Sequence, residues 1–353
     1  MSVRLLSFLV ILCFAATSVA VWSAPQKKKK GDEEEVTQTL EVLKEPPAAT
    51  VADASRLVFF VSPLSAKGLL SQQIRDGLKN LMKQTRGAQI VKIRAFVAGS
   101  GDLRRVPALV SELFTDKKQA LPAVTVVQAG SLPLVGAQVV MEAVASAKKP
   151  VNEKGLAFIG SQPGEASGAA ERVRTALAGL QLQPEAAKQI TCYLDSLEFE
   201  GEVRKQMTAA FPETPAVFVQ LRRDSAGSFA ACEAIAALDR APEPGAPKNN
   251  STRVGPVKLA FTSAQMAFGR EAQDVQLAVD RLGKTLEGVG ASWQSAVMTN
   301  TYALSRSIAT KVEQARLPVL NSKQPPARTI LIFEGLPSLD ASFATEAVAV
   351  VEN

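Results

Sequence analysis

Glu142-Ala143-Val144-Ala145, Glu233-Ala234-Ile235-Ala236 and Glu346-Ala347-Val348-Ala349 are one phrase written three times along a chain of 353 residues. Each phrase reads as the end of the strand that closes a block. Self-similarity of this kind marks a repeated unit and decides the architecture before local propensities do. Working back from each phrase, every block opens on an apolar strand that ends in a small polar turn. These strands are Leu57-Val58-Phe59-Phe60-Val61-Ser62, Leu156-Ala157-Phe158-Ile159-Gly160-Ser161-Gln162 and Leu259-Ala260-Phe261-Thr262-Ser263-Ala264-Gln265.

Apolar residues at spacings of three and four then predict a long amphipathic helix in each block. They are Leu70, Ile74, Leu78 and Leu81, then Val173, Leu177 and Leu180, then Val275, Val279, Leu282, Leu286 and Val289. A strand follows at 90–97, 190–194 and 296–304, a second helix includes 108–114, 202–211 and 309–315, and two strands close each block. The expected fold class is α+β: three tandem domains, each a mixed sheet with two helices on one face. The other face of each sheet then needs a different cover.

Composition agrees with a globular chain, 46% hydrophobic and 21% charged. The formal net charge of +6 owes much to Lys27–Lys30, which Asp32, Glu33, Glu34 and Glu35 follow at once. A block of that kind reads as a solvated tail. No aromatic residues interleave with basic ones, which argues against nucleic acid as a partner. Histidine is absent. That excludes histidine general bases, Ser-His and Cys-His nucleophiles and histidine metal ligands, leaving carboxylates, Lys, Tyr, Cys or positioned water for acid/base chemistry. No metal or other cofactor is expected.

The N-terminus reads as an address. Arg4 precedes an apolar run from Leu5 to Ala16, and Ser18-Val19-Ala20 has the small-x-small pattern of a cleavage site. The expectation is an exported, periplasmic or secreted protein cleaved after Ala20; an uncleaved anchor is the alternative, although the run is short for a bilayer. No membrane contact is expected after cleavage. Pro, Gly and charge breaks divide the chain into a signal peptide (1–20), a flexible charged leader (21–52), domain one (53–150), domain two (151–239), a linker (240–254) and domain three (255–353). Cys192 and Cys232 both fall in expected strands of domain two. An oxidising compartment permits a disulfide, but the reading favours two buried free thiols.

Pro326-Ala327-Arg328-Thr329-Ile330-Leu331-Ile332-Phe333-Glu334-Gly335-Leu336-Pro337 stands before the last phrase. With Glu346-Ala347-Val348-Ala349 it resembles the signature of the Rid (YjgF) family of enamine/imine deaminases, also described as endoribonuclease L-PSP. Block one matches with Pro122-Ala123-Val124 through Leu132-Pro133, and block two keeps Pro215-Ala216-Val217. The resemblance implies domains folded like the small trimeric chorismate mutases, so three fused copies imply an intrachain pseudo-trimer and a monomeric chain. It also implies that Arg328 grips a substrate carboxylate as a two-pronged donor. Glu346 would orient the attacking water, and Ser263, Ala264 and Thr329 would line the pocket.

Val124 and Val217 stand where the other blocks should carry the arginine, leaving one competent cleft. Ala264 replaces the family's turn glycine, Ile330 stands where a cysteine is common, and Lys311 and Pro107 stand where an asparagine is expected. The glutamates recur in blocks that lack the arginine, which points to a shared structural role, with hydrogen bonds to a neighbouring domain. Two functions follow. One is a hydrolytic deaminase of small 2-imino or 2-enamino acids, with a small carboxylate-bearing metabolite as partner. The other is a non-catalytic exported binding or scaffold protein on a degenerate pseudo-trimer.

Overall fold

A computed structural model describes residues 44–99, 101–223, 228–242 and 249–352. The expected signal peptide, with its apolar run and cleavage site, lies outside the described residues, as does the leader up to residue 43.

A short strand, β1 (Ala49–Asp53), precedes the first block, which contains β2 (Leu57–Val61), α1 (Leu70–Gln84), β3 (Gln89–Ala98), α2 (Arg105–Asp116), β4 (Ala123–Ala129) and β5 (Val139–Ser146). The second contains β6 (Leu156–Glu165), α3 (Ala169–Gly179), β7 (Ala187–Leu194), α4 (Glu200–Ala210), β8 (Ala216–Gln220) and β9 (Phe229–Ala237). Another short strand, β10 (Ser251–Val254), precedes the third, which contains β11 (Lys258–Thr262), β12 (Gln265–Phe268), α5 (Ala272–Glu287), β13 (Ala296–Ala303), α6 (Arg306–Arg316), β14 (Ala327–Ile332) and β15 (Ala341–Val350).

The three blocks share one strand order. It is β2-β5-β3-β4, then β6-β9-β7-β8, then β11-β15-β13-β14, with the last pair of each parallel. The closing phrases lie on β5, β9 and β15, in the interior of each sheet, which explains their lack of polar alternation. The helical periodicity holds: Ile74, Leu78 and Leu81, Val173 and Leu177, and Val275, Val279, Leu282 and Leu286 are all buried against their own sheets. Local caps set the helix starts. Asp274 accepts the Glu271 N–H at 2.9 Å before α5, and the Ser305 hydroxyl accepts the Ile308 N–H at 3.3 Å before α6.

The helix-free faces meet one another. Phe96, Tyr193, Tyr302 and Phe333, from all three blocks, pack edge-on or stacked with ring centroids 5.2–6.4 Å apart. That contact supplies the missing cover.

Two boundaries need correction. The leader is not flexible throughout 21–52, because Ala49–Asp53 pairs antiparallel with β11 of the third block. The linker 240–254 likewise contributes Ser251–Val254, which pairs antiparallel with β6 of the second block. Both segments have too little apolar area to declare themselves in sequence; main-chain hydrogen bonding to a sheet edge orders them. Gly155 takes a left-handed φ of 101°, and a Cβ there would meet Val254 O at 1.9 Å, so glycine is required where β10 crosses.

The cysteines also differ from expectation. Cys192 and Cys232 face each other across β7 and β9 with Cα atoms 4.1 Å apart and form a disulfide. The strand pattern places both in strands, but their direct opposition depends on the register of the pair, which no local pattern carries.

Candidate functional site

Side chains alternate along a strand, so each sheet sends one residue to its helices and the next to the shared interior. The register puts Arg94 opposite Glu142, Thr191 opposite Glu233, and Asn300 opposite Glu346. All three glutamates are buried in the shared interior. Each also reaches into another block. Glu142 accepts from Arg94 Nε at 2.6 Å and from the Thr191 hydroxyl of the second block. Glu233 accepts from Tyr193 at 2.9 Å, and from Asn300 at 2.9 Å and Thr329 at 2.6 Å in the third. Glu346 accepts from Tyr302 at 2.5 Å, and from Lys92 Nζ at 2.5 Å and Thr125 in the first. The bonds expected to a neighbouring domain are therefore present at all three glutamates.

Arg94 joins two of these groups, with Nη2 2.6 Å from both Glu142 and Glu233. Three carboxylates thus face two cations. Burial pushes the Glu142 carboxyl up, against the pull of Arg94. Burial acts the same way on Glu346, but Lys92 and Arg94 outweigh it and hold that carboxyl below the ordinary range. Desolvation lowers Lys92 despite Glu346, while Glu142 and Glu233 overcome burial and hold Arg94 well above the usual arginine value. Burial raises both Tyr193 and Tyr302 well above the usual phenol, so both stay as neutral donors. A cavity of about 70 Å³ opens among Lys92, Arg94 and the three carboxylates, and the buried Gln189 Nε2 beside it has no hydrogen-bond partner.

The other residues singled out in the sequence do not converge there. Thr329 faces the interior and Arg328, its neighbour on β14, faces the helices. Arg328 Nη1 bonds Glu313 on α6 of its own block, and the side chain is 38% exposed. Arg328 and Glu346 thus project from opposite faces of one sheet. The main chain of Arg328 is also closed off. Asn250 accepts its N–H and donates to its carbonyl, both at 2.7 Å. A Cβ on Gly160 would meet Arg328 O at 2.4 Å, so the two backbones leave no room for a ligand between them.

Ser263 lies at a different boundary. Its hydroxyl accepts from the Val124 N–H at 3.2 Å and donates to Pro47 O at 2.8 Å, while its N–H donates to Ala48 O at 2.7 Å. Ala264 packs, half-buried, on the shared aromatic cluster. Thr329 accepts the Ser161 N–H at 2.9 Å besides donating to Glu233. Lys311 is part-exposed, 3.7 Å from Glu271.

One equivalence shifts. Val124 does occupy the Arg328 position. In the second block, β8 pairs Thr191 with Val217, as β14 pairs Asn300 with Thr329. Ala216, not Val217, is therefore the counterpart of Arg328. The Pro-Ala-Val match misleads because it carries no information on facing; Val217 lies in the shared core and Ala216 packs against the helix-side core. No motif in the sequence singles out Arg94 or Lys92. The signal that could find them is an alignment of the central strands of the three blocks on their glutamate partners.

The described residues thus make an α+β repeat protein with a buried, cross-linked polar centre. No family model matches the chain, and no curated protein matches it. Among solved structures it is similar to a chorismatase, at 12% identity over 87% of this chain and 78% of that one, with a TM-score of 0.43. It is also similar to a YjgF-family protein from Neisseria meningitidis, at 14% identity over 29% of this chain and 85% of that one, TM-score 0.26. A third likeness is to a YjgF-family protein from Mycobacterium tuberculosis, at 18% identity over 28% and 86%, TM-score 0.25. Likenesses of this strength say nothing of activity.

Proposed function

We propose that the chain is an exported Rid-type pseudo-trimer that has kept the family's architecture and given up its deaminase chemistry, and that it works as a non-catalytic binding or scaffold module. One observation carries this reading: Arg328 and Glu346 stand on opposite faces of β14-β13-β15, with Arg328 paired to Glu313 and Glu346 to Lys92. A guanidinium occupied by its own helix cannot fork onto a substrate carboxylate. A carboxylate held by Lys92, Thr125 and Tyr302 on the other face of the sheet cannot aim a water at an imine gripped by Arg328. The three-block plan, with each glutamate bonded into another block, is what a trimer fused into one monomeric chain requires.

The test is hydrolysis of freshly generated iminopyruvate by the purified chain. The expected rate equals that of buffer, for wild type and Arg328→Ala alike. A wild-type rate well above buffer that drops on Arg328→Ala returns the deaminase reading and removes this one.

A further inference from the structure

The opening strands β2, β6 and β11 hold the same place at the edge of their sheets, and two of the three are covered. On β11, Ser263 N–H donates to Ala48 O, so the paired residues Phe261 and Thr50 occupy a hydrogen-bonded position of the ladder. On β6, Gly160 N–H donates to Asn250 O, and Phe158 and Thr252 stand in the same relation. Each added strand therefore sets its second residue, a threonine, opposite a phenylalanine. Each threonine also anchors to the next block. Thr50 Oγ1 donates to Val91 O at 2.6 Å, and Thr252 Oγ1 donates to Pro325 O at 3.2 Å and accepts the Ala327 N–H at 3.1 Å.

Among the described residues the third edge has no such strand. Ser62 N–H donates to Met141 O, so Val58 and Phe60 bond towards β5, and the main chain of Phe59 and Val61 turns outward. Among the described residues no strand pairs with that side of β2. The chain explains why. Residues 238–257 separate β9 from β11 and have the length to lay down β10, whereas residues 147–155 alone separate β5 from β6. The register places Lys149 where Thr50 and Thr252 stand, followed by Pro150. Instead, Val151 and Asn152 N–H both donate to Ser55 O, and the Asn152 side chain caps Leu57 O at 2.6 Å. Beyond them a groove of about 630 Å³ runs along Phe59 and Phe60 towards Lys188, Glu213 and Pro215. Lys188 and Glu213 are the register equivalents of Val91 and Pro325, the two acceptors used by the threonines at the filled edges.

We infer that the outer edge of β2 takes an extended segment of a partner polypeptide as an antiparallel fifth strand, with a threonine or serine opposite Phe59. Main-chain hydrogen bonds to Phe59 and to the Val61 N–H supply the binding, Val61 O being held by Gln84 Nε2 at 3.2 Å, and the hydroxyl bonded to Lys188 O or Glu213 O sets the register. The two filled edges state what the site accepts: short strands of small and β-branched residues, Ala-Thr-Val-Ala-Asp and Ser-Thr-Arg-Val. The inference deepens the binding reading above but fails separately from it. A chain that takes the strand and also hydrolyses iminopyruvate sinks only the non-catalytic claim.

The probe is a synthetic peptide of residues 47–54, Pro-Ala-Ala-Thr-Val-Ala-Asp-Ala, added to the full mature chain. Without peptide, the Phe59 and Val61 amides exchange faster than those of Phe158, Phe261, Gly160 and Ser263. With peptide, binding appears below about 1 mM, and exchange at Phe59 and Val61 slows by about tenfold or more. A peptide N-methylated at its threonine loses at least about tenfold in affinity, as does wild-type peptide against Val61→Pro, an outward edge position where proline is tolerated. The methylated peptide gives the answer even where that variant fails to fold. Failure of this peptide and of one spanning residues 249–256 to bind at 1 mM overturns the inference. So does equal binding of the methylated peptide. A two-chain mass by light scattering, with Phe59 already protected, assigns the edge to a second copy and overturns it as well.

Discussion

On the helix side of the second sheet, Cys192 and Cys232 lie among Val173, Leu177 and Met207. One residue away along the same strands, Thr191 and Glu233 face the other two sheets and bond to Glu142, Asn300 and Thr329. The same alternation runs through all three blocks. Each has a private core of hydrocarbon under its helices and contributes to a shared core that holds charge. The helix side of the third block also buries polar groups. Arg316 is buried there, 3.0 Å from the Thr301 hydroxyl and 4.0 Å from Glu313, and burial lowers it to about 10. The private cores can form block by block. The shared core cannot, because Glu142, Glu233 and Glu346 each need donors from another block, and a buried carboxylate without donors is strongly unfavourable. Polar groups here specify which face meets which, more than they add stability.

The largest effect should come from cutting the shared core at its hub. Arg94→Met strands Glu142 and Glu233 and is expected to cost about 3–5 kcal/mol, the usual penalty for breaking a buried pair from one side. In a chain of this size that lowers Tm by roughly 5–8 °C. Adding Glu142→Gln should restore part of the loss, because it removes one stranded charge. A melting temperature for Arg94→Met within about 2 °C of wild type would mean the centre does not join the blocks.

The private core offers the contrast. Cys232→Ser under oxidising conditions is expected to cost about 2–4 kcal/mol, without touching the carboxylates on the other face. Combined with Arg94→Met, the two losses should add to within about 0.5 kcal/mol, since the sites share no partner. Two titratable free thiols in the native, oxidised chain would remove the disulfide; strong coupling would dissolve the distinction between the two faces.

The sequence displays the layered plan well, and for a definite reason. Periodicities of two and near 3.6 are local, so Ile74 and Leu78, or Val279 and Leu282, announce a helix face without knowledge of the rest. Facing within a strand is less visible where both sides are buried. Arg328 and Glu346 sit in recognisable motifs, yet which side each presents depends on the pairing of β13 with β14 and β15. The same limit hides the Ala216 equivalence and the Cys192–Cys232 pair. The added strands β1 and β10 escape a sequence reading because four or five small residues gain order from an edge supplied by another block, and no local pattern reports that.

The smallest effect, and the one that separates two members of the shared core, is in pH. Lys92 and Arg94 hold Glu346 below 4.5, so its folded form binds fewer protons than its unfolded form. Its stabilisation is complete above that value and is lost as pH falls through the lower folded one. Glu142 has the opposite sign. Burial raises it, so the folded state favours the protonated form, and stability declines as pH climbs from 4.5 through the raised value. A tenfold difference in proton affinity between the folded and unfolded chain corresponds to about 1.4 kcal/mol. Thermal melts between pH 3 and 8 should therefore show Glu346→Gln less stable than wild type at neutral pH, with a flatter acid limb. Glu142→Gln should lose the decline above pH 4.5 instead. Parallel curves for both variants and wild type would show that the two carboxylates share one environment, and the assignment of Lys92 to Glu346 alone would fall with it.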